Sequence, residues 1–256
     1  MMSPADPPDP PPSAAALLRS RDFMLFWSTR VASTLGVQIQ SVALGWQVYA
    51  VARRTHTVAE SAFYVGMIGL VTFIPVLLLA LWAGEAADRY DRKRILQFCY
   101  AGEIASALVL LAASVLNFAT IPLLLGVAVM FGISRAFMGP AGTAMGPMLV
   151  PRSLLPRAIA WNSLAWQGGS IVGPALGGVL VSLSPAVAYG ATTGLYLVAV
   201  ATVSMIAMNT QPEVQEGSGW TLIKEGLAYV WGNKIVFGAI SLDLFAVLLG
   251  GATALL

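Results

Sequence analysis

Long apolar stretches constrain the fold of this chain more than any other feature of its sequence. Six complete stretches and a seventh at the end cover residues 23–51, 61–84, 95–116, 121–143, 158–183, 186–208 and 235–256. The hydrocarbon core of a bilayer is spanned by about 20 apolar helical residues, and in lipid a helix satisfies all of its own backbone hydrogen bonds. The sequence therefore predicts an all-α integral membrane protein with a six-helix bundle, a linker and a seventh transmembrane helix.

Composition favours a membrane protein and argues against several other classes. Hydrophobic residues make up 57% of the chain and charged residues only 10%, whereas soluble domains carry roughly 25% charged residues. The net charge is +2 and the basic residues form no phosphate-binding stripe, so we expect no nucleic-acid partner. His56 and Cys99, each the only residue of its type, cannot form a metal site on their own. No nucleotide-binding or zinc-protease motif is present, so we expect no metal, no cofactor and no enzymatic activity.

The distribution of lysine and arginine predicts how the chain is oriented in the membrane. Short cytoplasmic connections carry an excess of these residues. Ten fall on one side, namely Arg19, Arg21, Arg89, Arg92, Lys93, Arg94, Arg152, Arg157, Lys224 and Lys234, and only Arg53 and Arg54 fall on the other. We therefore expect a cytoplasmic N-terminus, with residues 1–16 as a disordered, proline-rich cytoplasmic tail.

The loop after the second stretch, residues 84–94, carries the most specific motif and is called the basic loop below. It reads Gly84-Glu85-Ala86-Ala87-Asp88-Arg89-Tyr90-Asp91-Arg92-Lys93-Arg94. Glycine at the end of a span allows close approach of a neighbouring helix, and the cations anchor the loop at anionic headgroups. The pattern resembles the major facilitator signature G-x-x-x-D-R-x-x-R-[RK]-[RK], although many members have glycine where this chain has Asp91. The resemblance implies a conformational latch of Gly84, Asp88, Arg89, Arg92, Lys93 and Arg94, the aspartate bonding to the other half of the transporter.

Charged residues inside the apolar stretches are candidates for ion coupling. Arg135 and Gly139 resemble the R-x-x-x-G element of the fourth helix in the same superfamily. A charge within lipid is costly, so an arginine there is expected to face the bundle interior or a watery cavity with a partner. Glu103 in the third stretch and Asp243 in the seventh are the candidate proton carriers. Alternatively, Glu103 pairs with a neighbouring basic residue and is structural.

The fifth stretch contains a glycine-rich pattern, Gly169-Ser170-Ile171-Val172-Gly173-Pro174-Ala175-Leu176-Gly177-Gly178. Glycines four residues apart let helices pack closely, and proline removes one backbone hydrogen bond and kinks the helix. The pattern resembles the antiporter motif G-x-x-x-G-P-x-x-G-G of drug and metabolite exporters. That motif maps onto Gly169, Gly173, Pro174, Gly177 and Gly178. The alternative is a plain helix-packing motif.

Polar side chains in the first and fifth stretches are candidates for a substrate cavity. They are Thr34, Gln38, Ser41, Asn162 and Trp166. Polar groups in a lipid-embedded helix turn inward to find partners. They either line a cavity that binds a substrate or form hydrogen bonds between helices.

Taken together, these motifs resemble the enterobactin-exporter branch of the major facilitator superfamily, which includes transmembrane secretion effectors and macrolide efflux proteins. The resemblance implies a multi-pass protein of the bacterial inner membrane that exports a siderophore, drug or metabolite. Export would be driven by the proton gradient and would proceed by alternating access of two six-helix halves. The expected partners are a small-molecule substrate, the proton and the lipid bilayer.

The order of the segments predicts four regions. A tail (1–16) is followed by a six-helix transporter half (17–208), a cytoplasmic linker (209–234) and the first helix of a second half (235–256). Within the linker, Trp220, Ile223, Leu227, Val230 and Trp231 recur at helical spacing, which indicates an interfacial helix or an ordinary loop helix. We expect the chain to be an N-terminal fragment whose full-length protein adds the missing C-terminal half. If seven spans are the complete product, a non-transporting membrane scaffold or assembly partner is the alternative.

Overall fold

The computed structural model describes residues 14–211, 230–234, 236–238 and 241–242. The helices are α1 (Ala14–Arg19), α2 (Arg21–Ala52), α3 (Val58–Arg89), α4 (Arg92–Val115), α5 (Ile121–Met145), α6 (Leu155–Leu183) and α7 (Pro185–Ser204). Two short 3-10 turns, Gly146–Leu149 and Arg152–Leu154, connect α5 to α6. The chain divides into two compact units, Met1–Pro212 and Glu213–Leu256, and all seven of these helices belong to the first.

Within the described residues, five helical segments are long and apolar enough to cross a membrane. They are Val58–Arg89, Arg92–Val115, Ile121–Leu149, Arg152–Leu183 and Pro185–Ser204. α2 is equally long, at 32 residues, but it carries more polar side chains. Four of them, Thr29, Ser33, Gln40 and Gln47, are buried among the other helices. The all-α membrane fold predicted from the sequence is confirmed.

Helix α2 contacts four of the other long helices, α3, α5, α6 and α7. α2 packs against α6 and α7, α4 packs against α5 and α7, and α3 runs along α5. Small residues permit the closest approaches: Gly132 of α5 lies directly against the backbone carbonyl of Thr72 in α3. Both α2 and α4 end at the same end of the bundle, near Arg54 and Asn117. That end, opposite the basic loop, is called the distal end below.

Capping residues explain where several helices begin. Thr57 and Glu60 form a capping box at the start of α3, which satisfies backbone N–H groups that have no partner within the helix. The Asp91 carboxylate accepts a hydrogen bond from the backbone N–H of Lys93 (3.0 Å) at the start of α4. The Ser184 hydroxyl accepts one from Val187 N–H (3.1 Å) at the start of α7. The boundaries therefore follow from local polar residues that flank the apolar stretches.

Several helix boundaries differ from the sequence-based expectations. α3 ends at Arg89 and not at residue 84, so residues 84–89 of the basic loop are helical. α1 begins at Ala14, so residues 14–16 are helical and do not belong to a disordered tail. α7 ends at Ser204, before the predicted end at residue 208. Beyond it, the backbone N–H groups of Ala207 and Met208 donate to the carboxylate of Asp22 (3.3 and 3.0 Å) in place of helical carbonyls. Most of the predicted linker and of the seventh span lies outside the described residues.

Candidate functional site

Glu103 lies near the middle of α4, eleven residues after the helix begins at Arg92. A rise of about 1.5 Å per residue puts it roughly 16 Å from the start of the helix. Its side chain is fully buried, and neither carboxylate oxygen has a hydrogen-bond partner among the described residues. No salt bridge involves it in the described part of the chain. An ionised carboxylate is costly in such a place unless it is paired, so an ionised Glu103 would need a nearby cation.

The groups that act on Glu103 come from two other helices. A β-carbon on Gly102 would lie 2.7 Å from the hydroxyl oxygen of Ser134 in α5, so α4 and α5 touch beside the carboxylate. Arg135, the next residue of α5, acts on Glu103 through its positive charge, and Tyr196 from α7 acts on it through its hydroxyl group. A positive charge and a phenol therefore face the carboxylate from α5 and α7.

A close packing of α2 against α7 holds the ring of Tyr196. A β-carbon on Gly36 of α2 would lie only 2.7 Å from this ring, so glycine is the residue that fits there. The hydroxyl groups of Tyr196 and of the neighbouring Tyr100 are buried and have no hydrogen-bond partner among the described residues. Neither tyrosine was predicted from the sequence as part of this site. An aromatic residue in an apolar stretch does not indicate which side chain it will contact.

Arg135 is exposed at the surface of the described unit. Its guanidinium carbon lies 5.5 Å from the centre of the Phe131 ring, a distance at which a cation–π interaction is favourable. Together with Ser41, it lines a pocket of about 430 Å³ between α2, α3 and α5. A small molecule that enters this pocket meets the positive charge that also acts on Glu103.

The five residues predicted to line a substrate cavity lie in different environments. Ser41 lines the pocket of Arg135. Thr34 and Gln38 lie where α2 packs against α6. Asn162 lies beside Gly146, with a buried side-chain oxygen that has no partner among the described residues, and Trp166 is 58% exposed. Ser41 therefore shares a pocket with a predicted coupling residue, Arg135.

The glycines of the predicted antiporter motif form the contact between α6 and α2. A β-carbon at Gly169 would lie 2.6 Å from the methyl group of Thr34, and one at Gly177 would lie 3.1 Å from Val42. Gly173 lies directly against Gln38. Pro174 sits inside α6, and a β-carbon at Gly178 would meet nothing within 4 Å. Three glycines four residues apart thus bring the two helices close together along two turns.

The basic loop is held to the end of α5 by Arg92. Its Nε donates to the carbonyl of Ala87 (3.0 Å), and Nη1 donates to the carbonyl of Ala144 (3.3 Å). In contrast, Asp88 is exposed and forms no hydrogen bond or ion pair with the described residues. A β-carbon at Gly84 would meet nothing within 4 Å. Arg92 therefore stabilises the loop within this unit, while Asp88 stays accessible.

The other charged residues of the basic loop bind locally or contact the segment after α7. Arg89 pairs with Glu85 (3.1 Å) and the exposed Arg94 with Asp91 (3.7 Å). The ammonium group of Lys93 donates to the carbonyl of Ile206 (2.6 Å). The loop is thereby attached to the chain that leaves the six-helix bundle. The remaining candidate, Asp243, lies outside the described residues.

A second polar group joins three helices near the distal end. The amide nitrogen of Gln47 donates to the hydroxyl of Ser114 (2.8 Å). The buried hydroxyl of Tyr189 donates to the amide oxygen of the same glutamine (2.7 Å). These bonds fix the register of α2, α4 and α7, and the sequence patterns alone did not indicate them.

Comparison with known proteins agrees with this architecture. Residues 12–253 match the major facilitator family described as "Transmembrane secretion effector". The chain is also 29% identical over 126 residues to a staphyloferrin A transporter of Staphylococcus aureus, a match that covers 49% of this chain and 29% of that relative. This chain therefore spans about a third of the length of that curated relative. The family match extends over nearly the whole sequence, and the chain belongs to the transmembrane secretion effectors of the major facilitator superfamily.

Proposed function

We propose that the complete protein is a secondary active transporter that exports a small molecule in exchange for protons, with Glu103 as the proton carrier. The observation that carries this proposal is the fully buried carboxylate of Glu103, which has no hydrogen-bond partner among the described residues. A buried acid of this kind is stable when it is neutral and needs a nearby cation when it is ionised. Arg135 is the cation in range.

The two states of Glu103 give the coupling step. When the carboxyl is ionised, it holds the guanidinium of Arg135 in position to bind a cargo in the pocket that Arg135 shares with Ser41. When a proton binds the carboxyl, Arg135 loses this partner and releases the cargo, so that proton and cargo occupy the protein in alternation, as exchange requires. Proton binding and cargo binding are thereby linked through one positive charge, as reciprocal coupling between two sites requires.

Movement between inward-open and outward-open states involves the contact of α2 with α6 in this proposal. The glycine contacts at Gly169, Gly173 and Gly177 present few bulky side chains, so one helix can slide or tilt against the other at low steric cost. Pro174 supports a bend in α6. Export follows by analogy from the antiporter pattern, and alternating access of two halves is the expected mode of movement.

An iron-free siderophore such as staphyloferrin A is the first cargo to test, because the curated relative is named as its transporter. We place the protein in the bacterial inner membrane with its N-terminus in the cytoplasm. That orientation follows from the excess of basic residues on the side of the basic loop. Asp88 is exposed and has no partner among the described residues. In this proposal it is the part of the latch that binds the other half of the transporter.

The test uses the complete protein in proteoliposomes with an imposed pH gradient and labelled staphyloferrin A. Glu103→Gln removes the titratable proton with little change in shape, and we expect it to lower gradient-driven transport at least tenfold. Glu60→Gln is the control, because the capping box of α3 accepts glutamine as well as glutamate. Gradient-driven transport by Glu103→Gln at the wild-type rate would reject the coupling role. If the wild-type protein moves neither staphyloferrin A nor any member of a panel of siderophores and drugs, the transport proposal itself is wrong.

A further inference from the structure

Buried polar side chains continue from Glu103 toward the distal end along the junction of α2, α4 and α7. Gln47, Ser114 and Tyr189 form one hydrogen-bonded level of this junction. Gln40 precedes Gln47 by seven residues, or about two helical turns, and so lies on the same face of α2. Ser106 precedes Ser114 by eight residues on α4. These spacings place Gln40 and Ser106 at a second level, nearer to Glu103.

The second level is closed to solvent. Gln40, Ser106 and Thr192 of α7 each have no exposed surface. Thr192 donates its hydroxyl to the carbonyl of Tyr189 (2.9 Å) and keeps its oxygen free to accept. Glu103 is three residues before Ser106, so it lies one turn further along α4 on a neighbouring face. Three polar levels therefore follow one another through the interior of the bundle.

Several polar atoms along this junction have no hydrogen-bond partner in the described residues. They are both side-chain atoms of the Gln40 amide, the hydroxyl of Ser106, both oxygens of Glu103 and the hydroxyl of Tyr196. Burying such a group without a partner is costly, and native proteins satisfy most of them with protein groups or ordered water. Six such atoms on consecutive turns supply the polar partners that ordered water needs, since each water molecule takes two to four of them.

The junction opens at the distal end. A pocket of about 230 Å³ there is lined by Gln47 and Ser114, together with Arg54, Asn117 and Ser184. The hydrogen-bonded level of Gln47 is thus the boundary between this pocket and the closed part of the junction. Bulk water reaches one end of the polar series, and Glu103 lies at the other.

We propose that protons reach Glu103 from the distal end through ordered waters along the α2–α4–α7 junction, separately from the pocket that contains Arg135. In the protonation step, the water next to Glu103 transfers one proton to the carboxylate. Bulk water at the distal end then supplies one proton to the first water of the series, which restores the charge balance. This inference rests on the proposed role of Glu103, and it adds a route that the coupling model does not require. The cargo and the proton would then use different entrances.

The charges around Glu103 favour this route. A hydronium ion that approaches through the pocket of Arg135 meets the exposed guanidinium, which repels it. Tyr196 from α7 also acts on Glu103, and Glu103 in turn acts on Tyr100 and Cys99 of α4 itself. Arg30 of α2 acts on Tyr100, on the side of the basic loop. Arg54 lies in the distal pocket and is exposed, whereas no lysine or arginine among the described residues lines the junction between Gln47 and Glu103.

The rate at which Glu103 takes up a proton tests the route directly and needs no cargo. The complete protein is reconstituted in liposomes, the pH of the bath is lowered rapidly, and the infrared band of the protonated carboxyl is followed. The band of Glu103 is the one lost in Glu103→Gln. We expect Gln40→Leu and Ser106→Val to slow its appearance at least tenfold, because both replace polar groups that bind water with methyl groups. Ser182→Val is the matched control, since Ser182 is exposed on α6 and bonds only within its own turn.

A second substitution at the same position separates a water path from simple packing. Ser106→Ala leaves room for a water molecule, so we expect proton uptake closer to the wild-type rate than in Ser106→Val. Equal slowing by alanine and valine overturns the water path. Wild-type uptake in both Gln40→Leu and Ser106→Val also overturns the route, yet it leaves Glu103 as the proton carrier. If Glu103→Gln removes no carboxyl band, the carrier itself is wrong and the route falls with it.

Discussion

The hydroxyl of Thr210 donates to the carboxylate of Asp91 and thereby joins the chain that leaves α7 to the first turn of α4. The same carboxylate accepts from the backbone of Lys93, whose ammonium group binds the carbonyl of Ile206. Thr210 is almost completely buried. Asp91 is the position at which the sequence departs from the latch signature, and in the structure its carboxylate has three partners that glycine cannot have: Thr210, the backbone of Lys93 and the side chain of Arg94.

Substitutions at Asp91 and Thr210 distinguish the role of Asp91 as the N-cap of α4 from its hydrogen bond to Thr210. We expect Asp91→Ala to destabilise the unit by about 1–2 kcal/mol, because α4 loses its N-cap, and to increase hydrogen exchange over residues 205–210. Asp91→Asn keeps a side chain that caps well, so stability should change little. Hydrogen exchange followed by mass spectrometry, together with thermal unfolding in detergent, measures both effects. Thr210→Val provides the comparison, since it removes the link and leaves the cap in place. Unchanged exchange over residues 205–210 in Thr210→Val would show that the link does not hold this segment.

The contact of α6 with α2 predicts a specific rescue. Gly169→Ala adds a β-carbon 2.6 Å from the methyl group of Thr34, and we expect it to destabilise the unit by about 1–3 kcal/mol because core overpacking costs this much. Thr34→Ser removes that methyl group, so the double variant should recover much of the loss. A double-mutant cycle of thermal stabilities gives the interaction energy. Gly178→Ala is the matched control, because its β-carbon would meet nothing within 4 Å. Additive effects of Gly169→Ala and Thr34→Ser would contradict this contact.

The accessible position of Asp88 predicts a change in transport without a change in stability. Within the described residues Asp88 forms no hydrogen bond or ion pair, so Asp88→Asn should unfold at the wild-type temperature and insert into membranes normally. The proposed transport by the complete protein should fall several-fold, because the proposed latch loses its charge. Western blots of membrane fractions measure membrane insertion, and transport assays in vesicles measure the expected loss of transport. Wild-type transport by Asp88→Asn would remove this residue from the latch.

Arg92 is expected to behave differently, because it is already bonded within the unit. It donates to the carbonyls of Ala87 and Ala144 from two different nitrogen atoms. Lysine is a single point charge and lacks the planar fork of guanidinium, so Arg92→Lys should lose one contact and lower the unfolding temperature by a few degrees. Arg94→Lys is the comparison, since the Arg94 side chain is 76% exposed and exposed ion pairs contribute little. Equal unfolding temperatures for the two variants would argue against a structural role of Arg92.

The sequence was sufficient to predict the helices and insufficient to predict their register. Apolar length alone identifies the spans, and Thr57, Asp91 and Ser184 sit where the helices begin. The bond between Gln47 and Ser114 joins residues 67 positions apart, and such a pairing depends on how α2 packs against α4. The end of α7 was misplaced for the same reason, since the carboxylate that binds Met208 lies 186 residues earlier.

In the candidate site too, the sequence predicted a residue of unusual chemistry but not the residues that contact it. Glu103 was identifiable because a carboxylate within an apolar stretch is unusual, whether its role is coupling or structure. The residues around it were not, because Tyr196 and Gly36 are ordinary residues of membrane helices until the packing brings them together. Thr34 and Gln38 have the polarity of cavity residues, yet their positions against Gly169 and Gly173 depend on where glycine lets α6 approach. Polarity in a span thus predicts that a side chain turns inward, and it does not predict which neighbour it meets.

Two buried tyrosines of α7 should respond oppositely to the loss of a hydroxyl group. The Tyr196 hydroxyl has no hydrogen-bond partner in the described residues, so Tyr196→Phe removes an unsatisfied group and should leave thermal stability nearly unchanged. The ring still fills the space beside Gly36. Because the hydroxyl faces Glu103, we expect the proton-driven transport rate of the complete protein to fall about tenfold, a change of about 1.4 kcal/mol in the barrier.

Tyr189→Phe is the matched variant for this comparison. The Tyr189 hydroxyl donates to Gln47 at 2.7 Å, and its removal leaves the amide oxygen of that buried glutamine without this donor. We therefore expect a destabilisation of about 1–3 kcal/mol, measured as a lower unfolding temperature in detergent. A stable Tyr189→Phe together with an unstable Tyr196→Phe would reverse the assignment of satisfied and unsatisfied hydroxyls. An unstable Tyr196→Phe would mean that the Tyr196 hydroxyl is already hydrogen-bonded and is not free to act beside Glu103. That result would therefore also remove Tyr196 from the coupling step.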